Sequence, residues 1–269
     1  MTGDLFLLPP LLESPYWEWS ALVLGLIIGS FANVCIHRLP RKESVGRPPS
    51  SCPFCGARIR PWDNVPVLSY VFLRGRCRRC QAPISMRYPL VEAANGLAYL
   101  GLAVLMGPTP RTLAMMALVT ALIVLSLIDL EWQILPDVIT KPFIVLGLLA
   151  SLLPGPPTAL GALLAAAGGY LALMLIALAW KRFRSVDALG QGDWKMTAML
   201  GAFLGWQGML LTVFLASVMG TLVGVALMVF AGRTREHKLP LGTFLGVAGI
   251  AVVFVGDPLV AWYRGLLAL

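Results

Sequence analysis

Two sets of side chains in this sequence have the types and spacing to do chemistry. Four of the five cysteines stand as Cys52-Pro53-Phe54-Cys55 and Cys77-Arg78-Arg79-Cys80, two CxxC pairs separated by 21 residues. Each pair can put two thiolates on one ion, and two pairs can close a tetrahedral four-thiolate zinc site with zinc–sulfur distances of about 2.3 Å. Four protein ligands leave no open position for water, so this zinc reads as structural. Redox-active dithiols and paired disulfides are the competing readings. Arg78 and Arg79 stand where they can offset thiolate charge, and Cys35, inside an apolar run, reads as a small buried side chain.

The second set is acidic. Asp129 closes an apolar run just before Leu130-Glu131-Trp132-Gln133-Ile134-Leu135-Pro136-Asp137, and Asp193 sits in Gly190-Gln191-Gly192-Asp193-Trp194-Lys195. A carboxylate at membrane depth is costly, which makes one at the membrane edge a functional candidate. Two carboxylates brought together in a partly dehydrated site cannot both ionise easily, so one keeps a proton, and that is the starting condition of aspartic-protease chemistry. Plainer readings stand beside this one. Asp129 can simply turn toward water, Asp193 can cap a helix above Lys195, and Asp137, following a Pro, reads as the N-terminal cap of the next helix.

Composition sets the frame that must hold these groups. The 269 residues are 58% hydrophobic and 13% charged, about half the charged fraction of a soluble domain. That excludes an ordinary soluble enzyme and a disordered chain, and leaves an all-α polytopic membrane protein. Apolar runs fall at 20–36, 89–106, 112–130, 138–153, 158–180, 196–231 and 241–263. The 36-residue run is nearly two spans long and carries Gly205-Trp206-Gln207-Gly208, so it reads as two helices, which makes about eight in all. Met1 to Trp19 holds Asp4, Glu13 and Glu18 with no basic stretch, so the first span reads as retained.

Cytosolic loops carry the excess Lys and Arg. Eight spans place 19 of the 21 basic residues on one side, including all eleven from Arg38 to Arg87, and only Arg111 and Arg264 on the other. An error of one span would spoil that split. The cysteine insert, Asp129 and Asp193 are then cytosolic, and both termini face away. The expected organisation is an N-terminal segment with helix 1 (1–36), a cytosolic four-cysteine zinc-binding insert (37–88) and a transmembrane core of helices 2–8 (89–269). An insert of about 50 residues is too small to rely on a hydrophobic core and needs a staple. The net charge of +8 reads as membrane orientation and contact with anionic lipid, with no nucleic-acid partner. Trp17, Trp19 and Trp262 read as interfacial anchors. No internal repeat stands out.

From about Gly25 to Leu245 the chain resembles the type IV prepilin peptidases. The resemblance rests on Gly29-Ser30-Phe31-Ala32-Asn33-Val34 with Arg38-Leu39-Pro40, and on the CxxC pairs around Asp63-Asn64-Val65-Pro66. It continues through Arg87-Tyr88-Pro89-Leu90-Val91-Glu92, Asp129 with Leu135-Pro136-Asp137, the GxGD string with Lys195, and Leu239-Pro240-Leu241-Gly242. It implies that Asp129 and Asp193 are the catalytic pair of an inner-membrane enzyme. The implied substrate is a prepilin or pseudopilin, cut after the Gly that ends a short basic leader. It further implies N-methylation of the new terminus with S-adenosylmethionine as methyl donor, at a site the residues do not identify. Two positions depart from the family pattern: Asp187, where Glu is common, and Thr243, where Pro is common. An ion- or proton-coupled transporter with a zinc-stabilised cytosolic lid, and a non-catalytic scaffold, are the alternatives.

Overall fold

The computed structural model describes residues 16–184, 190–231 and 239–267. Asp187, Arg233, Arg235, Lys238 and the N-terminal residues 1–15 lie outside the described residues. The architecture is all-helical: α1 (Tyr16–Arg38), a short α2 (Leu68–Phe72), α3 (Arg87–Met106), α4 (Pro110–Trp132), α5 (Asp137–Ala150), α6 (Ala159–Arg184), α7 (Gln191–Ala231) and α8 (Leu241–Leu267). Boundaries follow local chemistry. Gly107, with φ 65°, ends α3, a conformation that costs glycine little, and Pro110 opens α4 where its missing N–H is of no consequence.

Five of these helices (α1, α3, α4, α6 and α7) are long and apolar enough to cross a membrane, and α8 qualifies as a pair bent by 68°. The chain is a polytopic membrane protein. The long apolar run does divide where its glycines stand. Gly205 has φ 67° and ψ −176° inside α7, separating α7a (191–204) from α7b (206–231). A Cβ added at Gly249 of α8 would meet both Leu200 and Thr212, residues that a straight helix would hold about 18 Å apart. The two halves of α7 therefore fold back on each other at Gly205. Both α5 and α7a have room for 14 residues, about 21 Å against a hydrocarbon core of about 30 Å. These two short helices carry Asp137 and Asp193.

The chain divides within α4 into two compact units, one through Met116 and one from Ala117. In the first, α1 and α3 pack with their backbones nearly touching: a Cβ at Gly25 would come within 2.8 Å of Gly96 Cα, and one at Gly29 within 2.8 Å of Glu92 Cα. This is the small-residue packing by which membrane helices gain van der Waals contact without a hydrophobic driving force. The Asn95 amide donates to Gly25 O at 2.7 Å and the Asn33 amide to Tyr88 O at 3.1 Å, satisfying polar groups that lipid cannot.

In the second unit α6 runs against α7a, with Ala165 beside Gly201, and α7b runs against α8, with Phe244 beside Gly220. Phe203 of α7a closes on Gly147 and on the Phe143 ring of α5. At the far end of that helix pair, Lys195 Nζ donates to Asp137 Oδ1 at 2.6 Å. Asp137 accepts from Lys141 as well, and no side-chain cap is formed: Pro136 is the N-cap residue. The expected capping role of Asp137 is thus replaced by an ion pair that ties α5 to α7a.

Candidate functional site

The cysteine insert is built from one small unit used twice. In the first knuckle Cys52 N donates to Ala57 O, Gly56 N donates to Cys52 O, and Ser51 bridges Arg58. In the second, Cys77 N donates to Ala82 O, Gln81 N donates to Cys77 O, and Arg76 bridges Pro83. Gly56 and Gln81 hold the same left-handed turn, at φ 66° and 60°. Ser51–Arg58 and Arg76–Pro83 are therefore a repeat in conformation, which their short shared pattern of two Cys and an Ala does not announce.

All four sulfurs lie within 4.8 Å of one another, and none forms a disulfide. The Cys52 and Cys80 sulfurs are 3.8 Å apart. A tetrahedron with zinc–sulfur bonds of about 2.3 Å has an edge of about 3.8 Å, so the four thiols fit a closed zinc site. Backbone N–H groups of Cys80 and Arg79 donate to the Cys77 sulfur and, with the neighbouring thiols, hold its pKa down to about 6, favouring the thiolate that a metal needs. Arg78 plays a different part from the expected charge offset. Its guanidinium grips Asp63 of the turn Pro61–Asn64 with bonds of 2.7 and 3.0 Å, which holds the Asp63 carboxyl below its usual range. Glu92 of α3 accepts from Val67 N at 2.7 Å and anchors the insert to its helix. A single acid inside the apolar run 89–106 is the sequence signal for that role.

Asp129 and Asp193 are both buried, 5% and 9% exposed. Asp129 projects from the last turns of α4. Its Oδ2 accepts from Thr243 N at 2.8 Å and lies 3.3 Å from the Thr243 hydroxyl, and Gly242 N also donates to the carboxylate. A Cβ at Gly242 would fall 2.9 Å from Asp129 Oδ2, so only glycine lets the start of α8 approach the acid this closely. Asp193 stands in the first turn of α7a, where its Oδ2 accepts from Gly190 N at 3.0 Å. This is half of a capping box, so the acid does secure its helix terminus, and its position is fixed as a result.

Leu135, in the link between α4 and α5, joins the two halves of the site. Its side chain is the nearest neighbour of a Cβ at Gly192, at 2.8 Å, and lies 2.9 Å from one at Gly242, level with Asp129 Oδ2. The glycine before Asp193 and the glycine beside Asp129 are thus packed against one leucine, and the two carboxylates are near enough to feel each other's charge. Leu135 and Thr243 are contributors whose residue types carry no chemistry by themselves; their contacts with the two glycines and with Asp129 give them their part.

Residues 23–106 match the Bacterial Peptidase A24 N-terminal domain, and residues 116–225 match the Type IV leader peptidase family. The chain is similar to the Prepilin leader peptidase/N-methyltransferase of Burkholderia pseudomallei (strain 1026b), 40% identical over 264 residues that cover 88% of this chain and 85% of the relative. It is similar to the protein of the same name from Aeromonas hydrophila, 38% identical over 273 residues, covering 92% and 94%. The Pseudomonas aeruginosa protein of that name is 37% identical over 265 residues, covering 90% and 91%. No solved structure matches. With identity of this level over most of its length, the chain belongs to the type IV leader peptidase family.

Proposed function

We propose that this protein is a membrane aspartic endopeptidase that removes the basic leader of a type IV prepilin or pseudopilin after its terminal Gly, with Asp129 and Asp193 as the catalytic pair. The observation that carries the reading is that one side chain, Leu135, packs against both the glycine before Asp193 and the glycine beside Asp129, two buried acids 64 residues apart in sequence. One carboxylate takes a proton from water as its oxygen attacks the peptide carbonyl, and the other gives its proton to the carbonyl oxygen. As the carbon–nitrogen bond breaks, the acid that took the proton passes it to the departing amine, and the diol proton returns to its partner. Both acids end as they began.

The positive-inside distribution supports placing the insert and both acids on the cytosolic side of the bacterial inner membrane, with both termini opposite. A substrate whose basic leader stays cytosolic while its apolar helix enters the bilayer presents the bond between them at that edge. A coupled ion pathway has less in its favour, because the relatives that cover most of this chain are named as peptidases. Cys52, Cys55, Cys77 and Cys80 would hold one zinc, which supplies a crosslink for a small insert. The names of the relatives imply N-methylation of the new terminus. Among the described residues no strand leads into a Gly-rich turn of the kind that cradles nucleotides. No residue is therefore assigned to S-adenosylmethionine, and no step is derived through it.

Mass spectrometry of a pseudopilin-type precursor incubated with purified enzyme tests the reading. The expected product is one chain shortened at the Gly that ends the leader, gaining one methyl group when S-adenosylmethionine is added. An intact precursor, or cleavage elsewhere, would overturn the assignment.

A further inference from the structure

The start of α8 holds a hydroxyl in a position with more demands on it than one proton can meet. Thr243 Oγ1 lies 3.0 Å from Ser126 O and 3.3 Å from Asp129 Oδ2, while Thr243 N donates to the same Oδ2 at 2.8 Å. A carbonyl oxygen can only accept, and a hydroxyl has one proton to donate. When Asp129 is ionised, the hydroxyl can donate to Oδ2. When Asp129 is protonated, the hydroxyl can donate to Ser126 O and accept from Asp129. Both arrangements satisfy the groups involved without moving a heavy atom. Resting on the peptidase reading above, we infer that Thr243 is a positioning residue that holds Asp129 as the ionised, water-activating member of the pair and turns its hydroxyl when Asp129 takes up the proton.

The assignment of charge follows from counting donors. Among the described residues, Asp129 collects the backbone N–H groups of Gly242 and Thr243 together with the hydroxyl, whereas Asp193 accepts from one, the N–H of Gly190. Donors to a carboxylate favour its charged form, so the shared proton rests on Asp193. Among the described residues, the titratable group facing Asp129 from α7a is Asp193, and α8 presents backbone N–H groups and the Thr243 hydroxyl. Lys141 of α5 and Lys195 of α7a are engaged with Asp137. A Pro at position 243 would supply neither the N–H nor the hydroxyl.

The test compares Thr243→Ser, Thr243→Val and Thr243→Pro with the parent in two measurements. Precursor cleavage is followed from pH 5 to 9, and the carboxyl infrared band that Asp129→Asn removes is titrated in the same membranes. Thr243→Val keeps the shape and the N–H and is expected to slow cleavage about tenfold while moving the acid limb of the rate profile about one unit to higher pH. The Asp129 band should move with it. Thr243→Ser should restore both, and Thr243→Pro, compatible with the first turn of a helix, should exceed the Val effect. A Val variant that superimposes on the parent in the infrared titration, or a Ser variant that behaves like Val, overturns the inference. Infrared shifts as expected in a protein that leaves every precursor intact would uphold the inference and overturn the peptidase reading instead.

Discussion

Asp129→Asn and Asp193→Asn are each expected to reduce precursor cleavage by about 10³-fold or more, while the protein still inserts, binds its metal and elutes as the parent does. An amide keeps the volume of the carboxyl but neither accepts nor returns a proton at neutral pH, so the general acid–base contribution of about 10² to 10⁴ is lost at one residue alone. The two losses are expected not to multiply, because residues that act as a unit fail as a unit. Normal folding is expected because the amide oxygen of Asn can still accept from Thr243 N at position 129 and from Gly190 N at position 193. Rate measurement with equal amounts of solubilised enzyme checks this. Cleavage retained within tenfold in either variant would remove that residue from the catalytic pair.

The second large effect concerns the insert. The purified chain is expected to carry about one zinc, and Cys52→Ser or Cys80→Ser to lose it. A structural zinc contributes about 10–16 kcal/mol to folding a small domain. Between Leu39 and Met86 the only α-helix is the five-residue α2, beside one 3-10 turn at Pro61–Asn64, and the two knuckles contribute one isolated bridge each. Without metal the segment keeps few tertiary ties, chiefly Arg78–Asp63 within it and Val67–Glu92 to α3. Limited proteolysis should therefore cut within residues 39–86 in either variant or after chelation, leaving the α1 and α3 helices intact. Metal analysis finding no zinc in a protein with four reactive thiols would contradict the site, as would unchanged protease resistance after its removal.

How far the sequence reveals all this depends on the range of the interactions involved. The division at Gly205 is readable from the length of the apolar run and its Gly-x-x-Gly string, because both are local. The Cys cluster is readable for the same reason, as spacing within each CxxC dictates what one ion can bind. That Asp129 and Asp193 fall on one membrane face is an expectation the sequence offers, because alternation across a membrane is a long-range rule that needs only counting. Asp137 shows where such rules end. A Pro before an acid reads as a helix cap, and its actual partner Lys195, 58 positions away, becomes visible only once α5 and α7a lie side by side. Arg78 is similar, since a guanidinium next to thiolates looks committed to them until Asp63 is found within 2.7 Å. Thr243 is visible as a departure from a family pattern, but the value of its N–H depends on the close approach that Gly242 permits.

Asp129 and Asp193 can act as one pair only if their carboxylates meet, and crosslinking measures this most directly. In membranes carrying both Asp129→Cys and Asp193→Cys, with a protease site placed in the 154–158 link between α5 and α6, a short thiol-reactive crosslinker should keep the two fragments joined after cutting. Asp193→Cys alone sets the background from the native thiols. Joining well above that background is the predicted result. Fragments that separate as completely as in the single variant, in protein shown to be labelled at both positions, would contradict the claim.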